Sequence, residues 1–147
     1  GLVGFGWLHK LATDEKLRLP IIHHPAYSGG FVSPGVSGVA DYLQLGLLPR
    51  IFGADMPIFV SYGGRFTFTE KQCKRISSYI KRPMGLMKAA CPAPGGGVTD
   101  ARLNELVELY GNDTMFLVGG DMFRRGPDIE ANMSYFVERL TKLSERT

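Results

Sequence analysis

Two glycine-rich turns carry the clearest chemical signal in this chain. Cys91-Pro92-Ala93-Pro94-Gly95-Gly96-Gly97-Val98 places three glycines just ahead of a helical pattern, and Phe116-Leu117-Val118-Gly119-Gly120-Asp121 places two more directly after an apolar run. Consecutive glycines let backbone N–H groups converge on an anion with no Cβ in the way. A helix N-terminus that follows adds a favourable dipole. Either turn alone is equally well explained as a plain tight turn. Two of them, after successive strands, make Gly96, Gly97, Gly119 and Gly120 candidates for phosphate binding. The dinucleotide fingerprint GxGxxG is absent, which weighs against a nucleotide cofactor.

A third glycine pair precedes a cation, in Tyr62-Gly63-Gly64-Arg65-Phe66. A guanidinium can clamp a phosphate or carboxylate through two parallel hydrogen bonds. Gly63 and Gly64 also predict a mobile loop around Arg65. The competing reading is a solvated surface arginine. His23 and His24 close the apolar run Leu19–His24. Neighbours on a strand point to opposite sides, so at most one of the two can face a ligand. A histidine at the ligand end of a strand is a candidate for acid–base or polar substrate contact. The other is expected to be structural. Lys88 sits inside the run Leu86–Ala90 and is either structural or turned toward the interior. Cys73 and Cys91 belong to no CxxC or Cys/His cluster, so a zinc site is not expected. Two reduced, mostly buried thiols fit better than a disulfide, and imply a cytoplasmic setting.

These residues need a scaffold, and the order of apolar patterns predicts one. Helices are expected over Phe5–Ala12, Ala40–Phe52, Glu70–Lys81 and Asp100–Tyr110, with a last one opened by Pro127. Thr69 and Gln72 have capping-box spacing at the start of the third, and Gly53 and Gly111 are natural stops. Pro49 should bend the second helix or end it early. The last helix has the stripe Ile129, Met133, Phe136, Leu140 and Leu143. Strands are expected at Leu19–His24, Met56–Val60, Leu86–Ala90 and Thr114–Val118, with loops at Pro25–Ser37, Ser61–Phe68 and Pro92–Val98. Strands separated by helices pair in parallel through right-handed crossovers. Two architectures satisfy this order: an open doubly wound sheet, or part of a (β/α)8 barrel. In both, the polar residues fall at the C-terminal ends of the strands, where such sheets bind ligands.

The bulk properties of the 147 residues restrict the function further. A net charge of +3, with Lys and Arg scattered among Asp and Glu, does not suit a nucleic-acid binder and mildly favours an anionic small molecule. Hydrophobic residues at 44% and charged residues at 21% are ordinary for a globular chain. No run approaches the ~20 apolar residues of a membrane span, and no signal peptide is evident. The chain starts without Met and enters a helical pattern at once, so an excerpt of a longer protein is expected.

Taken in order, the motifs resemble ribulose-bisphosphate carboxylase (RuBisCO) and its non-carboxylating, RuBisCO-like relatives. LPIIHHPAYSGGF looks like the family's fifth barrel strand, with His24-Pro25-Ala26 in the RuBisCO-like form. GADMPIFVSYGGRF looks like strand six and its loop. PGGGVTDARLNELVELYGNDTMFLVGGD looks like strands seven and eight, with Gly96-Gly97 and Gly119-Gly120 on the family's phosphate-binding glycines. The resemblance covers nearly the whole chain. It implies the C-terminal half of a TIM (β/α)8 barrel, with four parallel strands alternating with helices. Residues 1–147 would then be a single partial domain, from the helix after strand four through helix eight.

The departures from the carboxylases are specific. Arg65 stands where they have a catalytic Lys, and these two side chains are not interchangeable. Pro25, Ser28, Ile58 and Gly95 replace an Arg, two His and a Ser of the carboxylase pattern. The resemblance therefore implies Mg2+-assisted enolisation of a sugar phosphate, of enolase, isomerase or decarboxylase type, and not CO2 fixation. His24 and Arg65 are its candidate catalytic residues. Gly96, Gly97, Gly119, Gly120 and Arg65 would hold the phosphate, and Ser28 would contact another part of the substrate. The Mg2+ ligands belong to a strand that this chain lacks. The expected partners are a phosphorylated sugar-like molecule and either a second copy of the chain or a complementing N-terminal half, with no nucleic acid and no membrane. A non-catalytic phosphate-binding or assembly module is the alternative.

Overall fold

The computed structural model describes residues 2–32 and 38–145. Residues 33–37 of the expected loop after the first strand lie outside it. The chain runs through α1 (Gly4–Ala12), β1 (Ile22–His23), α2 (Gly29–Val32), α3 (Leu48–Ile51), β2 (Met56–Val60), α4 (Glu70–Lys81), β3 (Ala93–Gly95), α5 (Leu103–Tyr110), α6 (Gly119–Arg124) and α7 (Ile129–Ser144). It is a mixed α/β structure. A parallel sheet of order β1-β2-β3 runs through it, with Ile22 opposite Met56 and Phe59 opposite Pro94.

The longer helices form where capping and periodicity predict them, but α2 falls inside the expected loop Pro25–Ser37 and α6 follows directly on the last expected strand, and the sequence patterns predict neither. Thr69 and Gln72 make the reciprocal capping box at the start of α4, and Gly111 ends α5 with φ +78°. Asp128 caps α7 by accepting the N–H of Ala131. Pro49 does not end its helix. A π turn over Leu43–Leu47 precedes it, and Leu48 donates five residues back to Leu43. That shift of the ladder accommodates a residue with no N–H to give, and the helix continues to Ile51. On α7, Phe136 and Leu143 are buried, but Ile129 and Met133 at the start of the predicted stripe are exposed.

Two of the four expected strands are corrected. Leu86–Ala90 is not a strand; the chain instead makes a tight turn bridging Met84 and Met87, with Leu86 fully exposed. The strand is Ala93–Gly95, in the segment expected to be a loop because of its prolines. Cys91 donates to Asp55, and Gly95 accepts from Ser61, so the odd-numbered residues face β2. Pro92 and Pro94 point their carbonyls the other way, accepting from Met115 and Leu117. The missing proline amides are thus confined to one edge. That edge receives only half a ladder, so Thr114–Val118 is an extended segment with a single bridge, Gly95 to Leu117. The sheet among the described residues has three strands and not four. The first strand is also shorter than Leu19–His24.

The turn at Met84–Met87 has a physical anchor. Arg50, only 3% exposed, donates to the carbonyls of Tyr79 and Arg82 at the end of α4 and to those of Met87 and Lys88. It satisfies terminal helix carbonyls that would otherwise be orphaned, and its charge suits the negative end of the helix dipole. Packing is one-sided. Phe59 of β2 joins Leu45, Cys73, Ile76, Leu103, Leu106 and their neighbours on the helices in one core. Ile58 and Val60, on the opposite face of the same strand, line an open cleft.

Truncating Arg50 should be among the costliest substitutions in the chain. Arg50→Met in the intact protein is expected to lower unfolding free energy by about 2–4 kcal/mol, since the carbonyls of four residues lose their donor at once. Arg50→Lys, with three donors on a point charge, should recover only part of this. Urea unfolding measures both, and a loss under about 1 kcal/mol would show that water replaces the guanidinium.

Candidate functional site

The parallel register brings the strand ends to one edge, and the cleft lies there. Its volume is about 1140 Å3. Its lining includes His24, Ser28, Arg65, Gly96, Gly97, Gly119 and Gly120, so one cavity gathers every residue singled out as a candidate from the sequence.

The histidine pair divides as alternation requires. His24 is exposed and lines this cleft. His23 is buried and stacks on Phe5, with ring centroids 5.9 Å apart. Burial pulls its pKa from 6.5 down to about 4, so it is held neutral in the folded chain. Ser28 is buried between the cleft and a second cavity of about 390 Å3, which His23 and Phe5 also line. Lys88 does not line the cleft; its carbonyl serves Arg50.

Gly96 and Gly97 adopt φ +78° and +70°, a region that favours glycine. Gly97 lies against the backbone of the neighbouring loop: a Cβ there would stand 2.7 Å from the nitrogen of Gly64, and one on Gly64 would stand 2.9 Å from that of Gly97. Gly63 and Gly64 are therefore not simply a hinge, as the sequence suggests. They let two main chains touch. Gly119 and Gly120 differ: they open α6, and a Cβ on either would meet nothing within 4 Å. The space beside their Cα atoms is open, so a methyl group there is sterically harmless to the fold. Arg65 lines the same cleft and is exposed, its guanidinium 4.8 Å from the Phe66 ring centroid.

Two further residues position these loops. Asp121 accepts the backbone N–H of Asp100 at 2.8 Å, which ties the loop carrying Gly119-Gly120 to the segment after Gly97. That bond, with Arg124 at 2.9 Å, holds the Asp121 carboxyl below its usual range. Arg102 donates to the carbonyls of Tyr62 and Gly97. One signal in the sequence could have found it. A basic residue at the first turn of a helix opposes the helix dipole, so it needs another reason to be there. Among the described residues, no three His, Cys, Asp or Glu side chains come together in a way that could hold a metal ion. Nor is any helix among them long and apolar enough to cross a membrane.

No family model matches the chain. Individual proteins do. Ribulose bisphosphate carboxylase-like protein 1 of Rhodopseudomonas palustris is 33% identical over 135 residues, which is 92% of this chain and 35% of that protein. A 2,3-diketo-5-methylthiopentyl-1-phosphate enolase of Exiguobacterium sibiricum is 32% identical over 117 residues, 80% of this chain and 29% of its own. The crystal structure of a RuBisCO-like protein from Alicyclobacillus acidocaldarius superposes with a TM-score of 0.89 at 27% identity, over 99% of this chain and 37% of that one. The chain thus spans about a third of the length of the curated relatives it matches.

The buried imidazole gives a pH test. His23 is neutral when folded and takes a proton near pH 6.5 when unfolded. Its share of stability is complete above pH 6.5 and falls as pH drops from there toward about 4. His23→Gln should flatten the urea midpoint across that window.

Proposed function

Since the chain is homologous to the RuBisCO-like proteins, we propose that the intact protein is an enzyme that enolises a phosphorylated sugar-like substrate, with this chain supplying the phosphate end of the site. The observation that carries the reading is one cleft, at the C-terminal edge of a parallel sheet, lined by Gly96-Gly97, Gly119-Gly120 and Arg65 together. Positive φ at Gly96 and Gly97 turns the loop sharply. The open space over Gly119 and Gly120 leaves room for an anion against their amides.

In this proposal Gly96, Gly97, Gly119 and Gly120 bind the phosphate through backbone N–H groups. Arg65 supplies the countercharge from the opposite loop. Remote binding of this kind orients the reacting carbons against groups elsewhere in the site. His24 contacts the substrate at the polar mouth of the cleft, and Ser28 does so from its buried wall. Enolisation moves a proton from carbon to a base. None of the residues described is assigned that role. The Mg2+ implied by the resemblance does not fit the side chains present, so its ligands are placed on the remainder of the protein. The substitution of Arg65, Pro25, Ser28, Ile58 and Gly95 into the carboxylase pattern supports chemistry other than CO2 fixation.

We also propose that residues 1–147 are the C-terminal half of a (β/α)8 barrel. The one-sided core supports this: a doubly wound sheet would cover both faces of β2, whereas Ile58 and Val60 are left to the cleft. An N-terminal segment, or a second copy, would close the open edge beside β1. The setting proposed is cytoplasmic.

The substrate-end reading makes a paired prediction. Gly120→Ala should leave the thermal midpoint unchanged, since nothing obstructs the methyl group, yet weaken inorganic phosphate binding about tenfold or more, because the methyl occupies the anion's place. Gly97→Ala should lower both, since it forces a backbone clash. Calorimetric titration of the full-length protein measures them. In the same protein, deuterium exchange from solvent into candidate sugar phosphates reports enolisation, and Arg65→Ala should reduce its kcat/KM. If Gly120→Ala binds phosphate as the parent does, the anion does not sit on these amides.

A further inference from the structure

Arg102 does not line the cleft. It nevertheless touches two of the loops that line the cleft. Its Nη1 donates to the carbonyl of Tyr62 at 2.7 Å and to that of Gly97 at 2.9 Å. Tyr62 leads directly into Gly63-Gly64-Arg65, and Gly97 closes the glycine run after β3. One nitrogen therefore bridges the two loops. The rest of the guanidinium is equally committed. It lies over the Tyr62 ring, 4.5 Å from the centroid. Nε and Nη2 reach the Glu105 carboxylate at 3.3 and 3.1 Å, and the Tyr62 hydroxyl donates to the same carboxylate. A Cβ on Gly63 would stand 2.5 Å from Nη1, so the loop closes onto the cation with no room left for a side chain.

This arrangement works against local electrostatics. Arg102 stands at the entry to α5, at the positive end of the helix. Glu105 offsets that placement, and the two carbonyls take up the donors. A side chain that only covered the surface there would be better as Asp or Glu. What the arginine achieves is a fixed separation between two main chains, reinforced by the contact of Gly64 with Gly97.

We propose that Arg102 is a positioning residue. By locking the Tyr62–Arg65 loop to the Gly95–Gly97 loop, it sets where the Arg65 guanidinium stands relative to the Gly96 and Gly97 amides. The role in anion binding rests on the phosphate reading above; the lock between the loops does not. Arg102 acts through Arg65, so its effect on binding depends on Arg65 being present. Lysine cannot substitute, because an ammonium lacks the planar fork that stacks on Tyr62 while bridging two carbonyls.

Two measurements on the full-length protein decide the matter. The first is amide hydrogen exchange of the parent protein and Arg102→Gln. Exchange at the Ser61 amide, which bonds Gly95 at the head of one loop, and at the Asp100 amide, which bonds Asp121 at the end of the other, should rise together, by about tenfold or more, while the amides of β2 stay as they are. A rise in only one loop, or in neither, overturns the lock. The second is a double-mutant cycle read by titration with inorganic phosphate. Arg65→Ala should cost about tenfold in affinity in the parent protein but no more than about twofold in Arg102→Gln. Equal costs in the two backgrounds would show that Arg102 is merely structural. Phe136→Leu, a core change of comparable destabilisation, should leave the cost of Arg65→Ala undiminished. If Arg102→Gln does not fold, Glu105→Gln takes its place in both measurements, with changes in the same direction but smaller. Absence of phosphate binding in the parent would remove the phosphate reading, and the exchange measurement would still decide the lock.

Discussion

The structure turns on a buried guanidinium that has carbonyls for partners in place of a carboxylate. Arg50 gathers the C-terminal end of α4 and the turn at Met84–Met87 around one cation. This uses up residues 79–88, and the chain can rejoin the sheet only afterwards. The next strand must then be built from Ala93-Pro94-Gly95, with glycine at its end. A strand that ends in glycine delivers its loop to the sheet edge with the backbone already bare. The anchor thereby fixes where the glycine loop Gly95–Gly97 emerges.

From that point the site is made mainly of main chain. Gly64 and Gly97 touch through backbone atoms, and Arg102 and Asp121 hold loops by bonding to peptide groups. Such contacts are short and stiff, and they leave little freedom for rotamer adjustment. They also demand particular residues at positions that make no contact with the cleft. Arg102 is the clearest case: its surroundings dictate a planar cation with forked donors, although nothing it touches is a ligand.

Much of this was legible in the sequence, for reasons of local chemistry. The Thr69–Gln72 capping box and the opposed histidines depend on neighbours within a few residues, and each lies where those neighbours require; the glycine runs are legible as turns, but the approach of Gly64 to Gly97 joins loops far apart in the chain. Strand three was misplaced because Leu86–Ala90 has the apolar composition of a strand and Cys91–Gly95 has prolines. What decides between them is Arg50, nearly forty residues away. The half ladder at Pro92 and Pro94 is likewise a matter of which edge the prolines face, and that follows from register and not from composition. The π turn before Pro49 reconciles a helix-breaking residue with a continuing helix, a solution that periodicity alone does not contain. Arg102 left a trace, a cation at the wrong end of a helix, but one of its partners, Tyr62, comes from a loop forty residues earlier.

The architecture also explains why this chain narrows the substrate class without naming the reaction. The phosphate contacts proposed here are backbone amides and one arginine, and they respond to charge and shape at a substrate's end. They carry no information about which carbon loses its proton. Relatives of the chain include both an enolase and an isomerase, and an end of the site built from main chain can serve either. On that proposal, the groups that distinguish such reactions approach the substrate from the open side of the cleft, over Ile58 and Val60. On the proposed reading, phosphate anchoring and reaction choice fall to different parts of the protein, and the bracing of the glycine loops suits a part whose task is to hold one end still.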